Sequence, residues 1–546
     1  MNDRPAMARP VVGNVPFLKT CRRRAVVLAE PCALLILLPL AAALIGPLVA
    51  GDAGQAWHRW WGTPRGWAAL GRTVELAAIA ATLAVVLAWL LALSARRLSD
   101  RWVAALVVAA CLPLLVPSSL LATAWIVALG RDGLLTGPVS RLLGTTLTIY
   151  SLPGAAVALA LRYFGIAGLI LVDEQRRQER CWPAARLFRP SALASCWHLR
   201  LRPGAGPAMA AWLLVALLAM NDHILPGMLL VSTYGTQVLI EYSALLNPAG
   251  AAALAVPAGF VGLVLVALAL VAWRRPVRRG GAAMPATPSF PVGRAARAVH
   301  AVGAALVLGV AVGIPMAVLA VRAGSIAALS DALAAARTQL WRTAWLATVG
   351  AAVATALGVL LAHRWIAGRR TGRWTLAPLV LVNLAVPPSL LAMGLTALFQ
   401  RPPLDHLADT SWPLVAGYAV RFTPVALLVL YAAWRDQSLL PTQAAQVYRL
   451  SPWAAWWHVE WPRRRLGLAA AAVLCGLLVA TELEASILLA PPGGSTLGVR
   501  LYTLIHTAPD QVVSALAVDL LLLAGPGILL LGWLARRMQQ RRGVTQ

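Results

Sequence analysis

The chain has 546 residues, of which 60% are hydrophobic and only 12% charged. Soluble domains carry roughly 25% charged residues, so this composition excludes a water-soluble enzyme and predicts a polytopic membrane protein. The net charge of +27 is almost wholly arginine, with Lys19 the one lysine, and in an apolar chain that excess reads as arginines retained in cytoplasmic loops rather than as a nucleic-acid footprint.

Residues 1–70 hold a basic tail ending in Arg22-Arg23-Arg24, an apolar run from Cys32 to Ala50, and a segment with Trp57, Trp60, Trp61 and Trp67. The apolar run is longer than the roughly 7–15 residues of a signal-peptide core, so it is expected to stay as a first span. Tryptophans collect at the headgroup level, which places the Trp-rich segment at the outer interface. Residues 71–273 then carry apolar runs at Thr73–Leu93, Val103–Leu129, Leu143–Leu161, Ala205–Leu225 and Ala251–Trp273. Residues 274–297 are a basic, Gly/Pro/Ala-rich linker. Residues 298–337 hold a seventh span, Ala298–Val321, and an outer segment. Residues 338–535 carry Thr343–His363, Trp374–Phe399, Trp412–Trp434, Leu466–Ala490 and Val512–Leu534, and 536–546 are a basic tail. The expected fold is an all-α membrane protein of about 12 transmembrane helices, six plus six. Placing both termini in the cytoplasm puts most arginines on that side, as the positive-inside rule requires. The six cysteines (Cys21, Cys32, Cys111, Cys181, Cys196 and Cys475) form no Cys-x-x-Cys pair and are read as reduced bystanders, with no metal site.

The two series are related. Arg72-Thr73 matches Arg342-Thr343, and Pro117-Ser118-Ser119-Leu120-Leu121-Ala122 matches 387–392, both at an offset of 270. Further on the offset is 260: Asp222 falls on Glu482, Thr236 on Thr496 and Tyr242 on Tyr502. Two halves of equal topology imply parallel repeats, with a path near the axis between them. Two polar islands stand in register within the expected cytoplasmic loops. The first has Ala184, Ala185, Arg189, Ser191, Trp197 and His198; the second has Gln443, Ala444, Ala445, Arg449, Ser451, Trp457, His458 and Pro462. Ser451-Pro452 is a helix-start signal, since serine caps the free amides and proline suits the first turn.

Glu-Ala-Ala, three residues, Gly, nine residues, Ile-x-Leu-Pro is the motif that these islands resemble. It is the cytoplasmic loop of permease subunits in binding-protein-dependent ABC importers. Here Pro183 and Gln443 stand at its Glu, and Arg189 and Arg449 at its Gly. Beyond the loop, the stretch from Glu482 through Pro491-Pro492-Gly493-Gly494 to His506 is similar to the fused ferric-iron branch, which carries two permease domains in one chain. The resemblance implies a type I importer transmembrane domain in a bacterial inner membrane. It also implies two copies of a cytoplasmic ABC ATPase docked on the loops, a periplasmic or surface solute-binding protein, and iron(III) or a chelate as substrate. Thiamine, polyamine and phosphonate importers share the topology. An ion-driven secondary transporter and a degenerate membrane scaffold are the readings from other classes.

The islands have a physical rationale. Trp453, Trp456 and Trp457 offer apolar anchors for a docked subunit, or simply sit at the membrane surface. An arginine where a turn glycine belongs means either that the turn is built differently or that Arg189 and Arg449 bind something else. No phosphate-binding loop occurs, because that motif needs Gly-Lys-Ser/Thr and Lys19 follows Leu18. ATP and Mg are therefore expected to be used by a separate subunit, with no cofactor and no catalytic residue on this chain. Asp222, Glu482 and Glu484 lie inside apolar runs, and intramembrane acids are functional candidates. They face the path and steer a cationic or chelated substrate, or they cap helix ends at re-entrant turns.

Overall fold

The computed structural model describes residues 16–544 apart from 50–52, 96–97, 132, 145–147, 187–201, 278–293, 372–374, 436 and 438–439. Every regular element is helical, and no strand occurs among the described residues. The first half runs α1 (Pro16–Val49), α2 (Ala53–Trp61), α3 (Pro64–Ala95), α4 (Asp100–Leu115), α5 (Ser118–Leu129), α6 (Thr136–Leu143), α7 (Leu152–Arg186), α8 (Arg202–Asn221), α9 (Ile224–Met228), α10 (Tyr234–Leu239) and α11 (Pro248–Val277). The second half runs α12 (Arg294–Leu308), α13 (Ile314–Ala323), α14 (Ile326–Ala335), α15 (Arg337–Thr371), a 3-10 segment Ala377–Leu384, and α16 (Pro388–Phe399). It continues with α17 (Trp412–Trp434), α18 (Leu440–Val447), α19 (Pro452–Ala455), α20 (Trp461–Ala480), α21 (Glu484–Leu489), α22 (Leu497–Thr507) and α23 (Asp510–Val544).

Among the described residues, 9 stretches are long and apolar enough to cross a membrane, or up to 11 if each of two bent pairs is one span. The protein is a multi-pass membrane protein. Helix α20, the repeat partner of α8, is not among them, because Arg463, Arg464 and Arg465 stand at its start.

Five expected spans are corrected. Val103–Leu129 is not straight: α4 and α5 meet at 94°, and the second-half counterpart bends by 113° between Ala377–Leu384 and α16. The cause is Pro117 and its partner Pro387, both extended with ψ of 140°. A residue before proline is pushed out of the helical region, so each helix stops there and a new one starts. Leu466–Ala490 ends at Ala480, and α21 is a separate short helix beyond it. Ala205–Leu225 likewise ends at Asn221, and Leu143–Leu161 begins instead at Leu152.

The halves exchange their first helices. Helix α1 packs on α15 and α16, elements of the second half, while α12 packs on α3, and α13 on both α5 and α23. The α1–α16 approach is so close that a Cβ at Gly394 would collide with the Pro39 carbonyl oxygen. Polar bonds fix the register. Asn383 Nδ2 donates to the Ile36 carbonyl at 3.1 Å. Glu30 pairs with Arg364 Nε at 2.6 Å and accepts from the Leu376 amide at 2.9 Å.

The structure also shifts the repeat register. Thr233 and Thr496 are the N-caps of α10 and α22, and each side chain accepts an amide three residues on. The next residues bond equivalent threonines: Tyr234 N donates to Thr73 Oγ1 at 2.9 Å, and Leu497 N to Thr343 Oγ1 at 2.8 Å. Thr233, not Thr236, is therefore the partner of Thr496, and Tyr242 is not that of Tyr502. The second half spends three more residues between its buried acid and this cap, in the turn around Pro491-Pro492-Gly493-Gly494.

Candidate functional site

Two places carry the polar chemistry: a cluster where the membrane-crossing helices break, and the loop between α17 and α20.

The cluster starts from Asp222, just past the end of α8. Its Oδ1 accepts the Leu225 amide at 3.3 Å, capping α9. Its Oδ2 accepts from Ser118 Oγ at 2.9 Å, in the first turn of α5, and from Tyr163 Oη at 3.0 Å. Arg162 Nε lies 3.3 Å from the same oxygen. The Arg162 Nη1 donates to the carbonyls of Pro113 and Val116, at the C-terminal end of α4. The carboxylate thus sits at two helix starts and the guanidinium at a helix end, as the helix dipoles favour. This is why a buried ion pair is tolerated here: both members spend their remaining hydrogen-bonding capacity on broken-helix termini.

The second half repeats the plan. Glu482 Oε1 accepts the Ala485 amide at 3.2 Å, capping α21. Arg421 Nε lies 3.1 Å from Glu482 Oε2. Tyr418 Oη and Ser486 Oγ are 2.8 Å apart, and Ser486 Oγ donates to the Glu482 carbonyl at 3.0 Å. The halves meet where His223 Nδ1 lies 3.6 Å from Glu484 Oε1. Asn221 Nδ2 also crosses over, donating to the Leu384 carbonyl at 2.9 Å. Glu484 lies within the fields of Arg421, Glu482, Asp222 and Arg162.

All three acids proposed from the sequence therefore lie in one cluster. Asp222 and Glu482 are not bare carboxylates, because each has its own arginine. Arg162 and Arg421 escaped the sequence reading. The signal was present: a lone arginine stands at equivalent places in the apolar helices α7 and α17, nine or ten residues past their starts.

The second polar island is a helix–turn–helix. Helix α18 ends with the Leu450 amide donating to the Ala445 carbonyl at 3.0 Å, a bond that spans a left-handed residue. That residue is Arg449, with φ of 50°. The turn is thus the one a glycine would make, built with an arginine. Ser451 Oγ accepts the Ala454 amide at 3.2 Å, as its capping role requires. Ala445 is buried, whereas Gln443, Ala444, Arg449, Trp457 and His458 are exposed and Pro462 is half-buried. Trp453, Trp457 and Trp461 stack in series, with ring centroids 6.0 and 6.2 Å apart. Tyr448 is 80% and Trp453 73% exposed, so the island presents an apolar outer face.

Glu460 holds this island to the membrane helices. It accepts from Thr442 Oγ1 at 2.6 Å and pairs with Arg464 Nε at 2.7 Å. Arg464 also contacts His363 and lies over the Trp434 ring. Burial pushes the Glu460 carboxyl up, but Arg464, the Thr442 hydroxyl and Arg463 together outweigh it and hold its pKa below the ordinary value. A π turn, Trp456–Glu460, joins α19 to α20. It leaves Trp456 and Trp457 outside while Glu460 is buried. Of the first island, Arg189, Ser191, Trp197 and His198 lie outside the described residues, and Ala184 and Ala185 fall in the last turns of α7.

No curated protein matches the chain. Residues 354–543, which include the second island and the Arg421–Glu482 pair, match the family described as binding-protein-dependent transport system inner membrane component, and this part of the chain is accordingly similar to the membrane-embedded component of a binding-protein-dependent transporter.

Proposed function

We propose that the chain is the permease of an ATP-binding-cassette importer, passing substrate from a solute-binding protein into the cytoplasm. Two copies of a separate ATPase subunit dock on the two islands and use ATP and Mg. The membrane is the bacterial inner membrane, with both termini and both islands in the cytoplasm. Iron(III) or a chelate is the substrate to which the resemblance points.

The observation that carries this reading is the built second island. An apolar outer face, Val447, Tyr448, Leu450, Trp453, Trp456 and Trp457, is exposed on the helix–turn–helix. That turn is tied through Glu460 to Thr442 and Arg464, and so to the foot of a membrane helix. An interfacial tryptophan belt needs no such anchorage, but a lever that transmits a docked subunit's movement does. The test is replacement of Ala445 and Ser451 together by Glu, followed by assembly with the cognate ATPase in membranes. Loss of assembly, or ATP hydrolysis no longer coupled to uptake, is the expected result. Unchanged assembly and uptake contradict the docking role.

A further inference from the structure

We propose that Arg421 is an oxyanion-recognition residue in the passage between the two halves, and that the transported species presents a carboxylate- or phosphate-type group to it. The inference deepens the permease reading and rests on it.

Arg421 and Arg162 occupy equivalent positions on α17 and α7, each about 15 Å from the start of its helix at 1.5 Å per residue. Their duties differ. Arg162 is 10% exposed, holds Asp222, and spends its Nη1 on the carbonyls of Pro113 and Val116 at the break of the first bent span. Arg421 is 24% exposed and holds Glu482 through Nε. Among the described residues no carbonyl or carboxylate takes its two terminal amino groups.

The counterparts of the Pro113 and Val116 carbonyls, at the offset of 270, are those of Asn383 and Val386, and neither accepts from Arg421, so its fork is left open. An arginine at this depth is costly to expose to hydrocarbon, so the open side belongs to a polar passage. The place fits, because Arg421 pairs with Glu482, two residues from the Glu484 that meets His223 across the halves.

An arginine engaged at Nε keeps its end-on pair of amino groups, which matches two oxygens of a carboxylate or phosphate. The carboxylates here are less suited to a bare cation. Asp222 and Glu482 have arginine partners, Glu484 faces His223, and among the described residues no three His, Cys, Asp or Glu side chains converge as metal ligands. A ferric substrate would therefore cross as a chelate with free carboxylates.

The test is titration calorimetry of the full chain in detergent micelles with citrate and, separately, spermidine. The variant Arg421→Gln/Glu482→Gln removes both charges together and avoids stranding a buried carboxylate. Arg421→Lys keeps the charge but loses the fork. Citrate should bind the wild type, bind about tenfold or more weakly to the double variant, and be weakened in Arg421→Lys, since a charge-assisted bond contributes about 1.5–3 kcal/mol. Spermidine should not bind. Citrate binding equal in wild type and both variants, no citrate binding at all, or binding of spermidine alone overturns the proposal. If the double variant loses helix content, Arg421→Lys carries the comparison. ATPase assembly measured on the same samples separates the two readings: assembly without citrate binding removes the oxyanion site only, and failed assembly of the wild type removes the permease reading.

Discussion

Arg449 holds a left-handed backbone conformation, with φ of 50°. That costs a non-glycine residue about 1–2 kcal/mol. Arg449→Gly should relieve part of this strain, stabilising the turn by about 1 kcal/mol and slowing hydrogen exchange at the Tyr448 and Leu450 amides. Exchange that speeds up would mean that the arginine side chain contributes more than the strain costs. At the cluster, Asp222→Asn strands Arg162 and weakens the bonds to the Ser118 hydroxyl and the Leu225 amide. Removing one member of a buried pair costs about 3–5 kcal/mol, so its midpoint of thermal unfolding in detergent should fall clearly. Glu482→Gln should fall less, because Arg421 is the more exposed of the two arginines. Equal losses would contradict the different duties assigned to the two arginines. The acids were legible as intramembrane charges. Their arginines were not, because the repeat was traced from matching identities, and Arg162-Tyr163 and Arg421-Phe422 match only at the arginine.

At the scale of the element, the second island depends on Glu460. Its native pKa is depressed, so its stabilisation is fully present above the unfolded carboxylate value of about 4.3 and is lost as pH falls through the lower native value. ATPase binding should therefore be flat between about pH 5 and 7 as far as this group is concerned. Glu460→Gln should weaken binding throughout that window. Binding by the variant that equals wild type at pH 7 would remove Glu460 from the anchorage. The island was legible because its spacing and its Ser-Pro start are local signals. The bends at Pro117 and Pro387 were in the sequence but went unread, since apolar residues flank them and hydropathy alone does not locate a break. The π turn was not legible, because it is fixed by where Glu460, Thr442 and Arg464 meet rather than by local sequence.

At the scale of the molecule, the exchange of α1 and α12 between halves makes each half incomplete alone. A chain split within 278–293 and co-expressed should still co-purify as two fragments. Deleting residues 16–49 should destabilise the second fragment, because Glu30, Ile36 and Pro39 contact Arg364, Asn383 and Gly394. A second fragment that is equally stable without them would contradict the exchange. Six-plus-six repetition was readable from hydropathy and from the offsets near Thr73 and Asp222. The exchange was not, because it is a contact between segments far apart in the chain, and one apolar face resembles another.

The importer reading meets its most direct test in proteoliposomes holding this chain and its ATPase, supplied with binding protein and ferric citrate. Uptake should require ATP inside the compartment that holds the ATPase, and should be abolished when Ala445 and Ser451 are both replaced by Glu. Uptake that proceeds without ATP, follows an imposed ion gradient and survives the double replacement would contradict it.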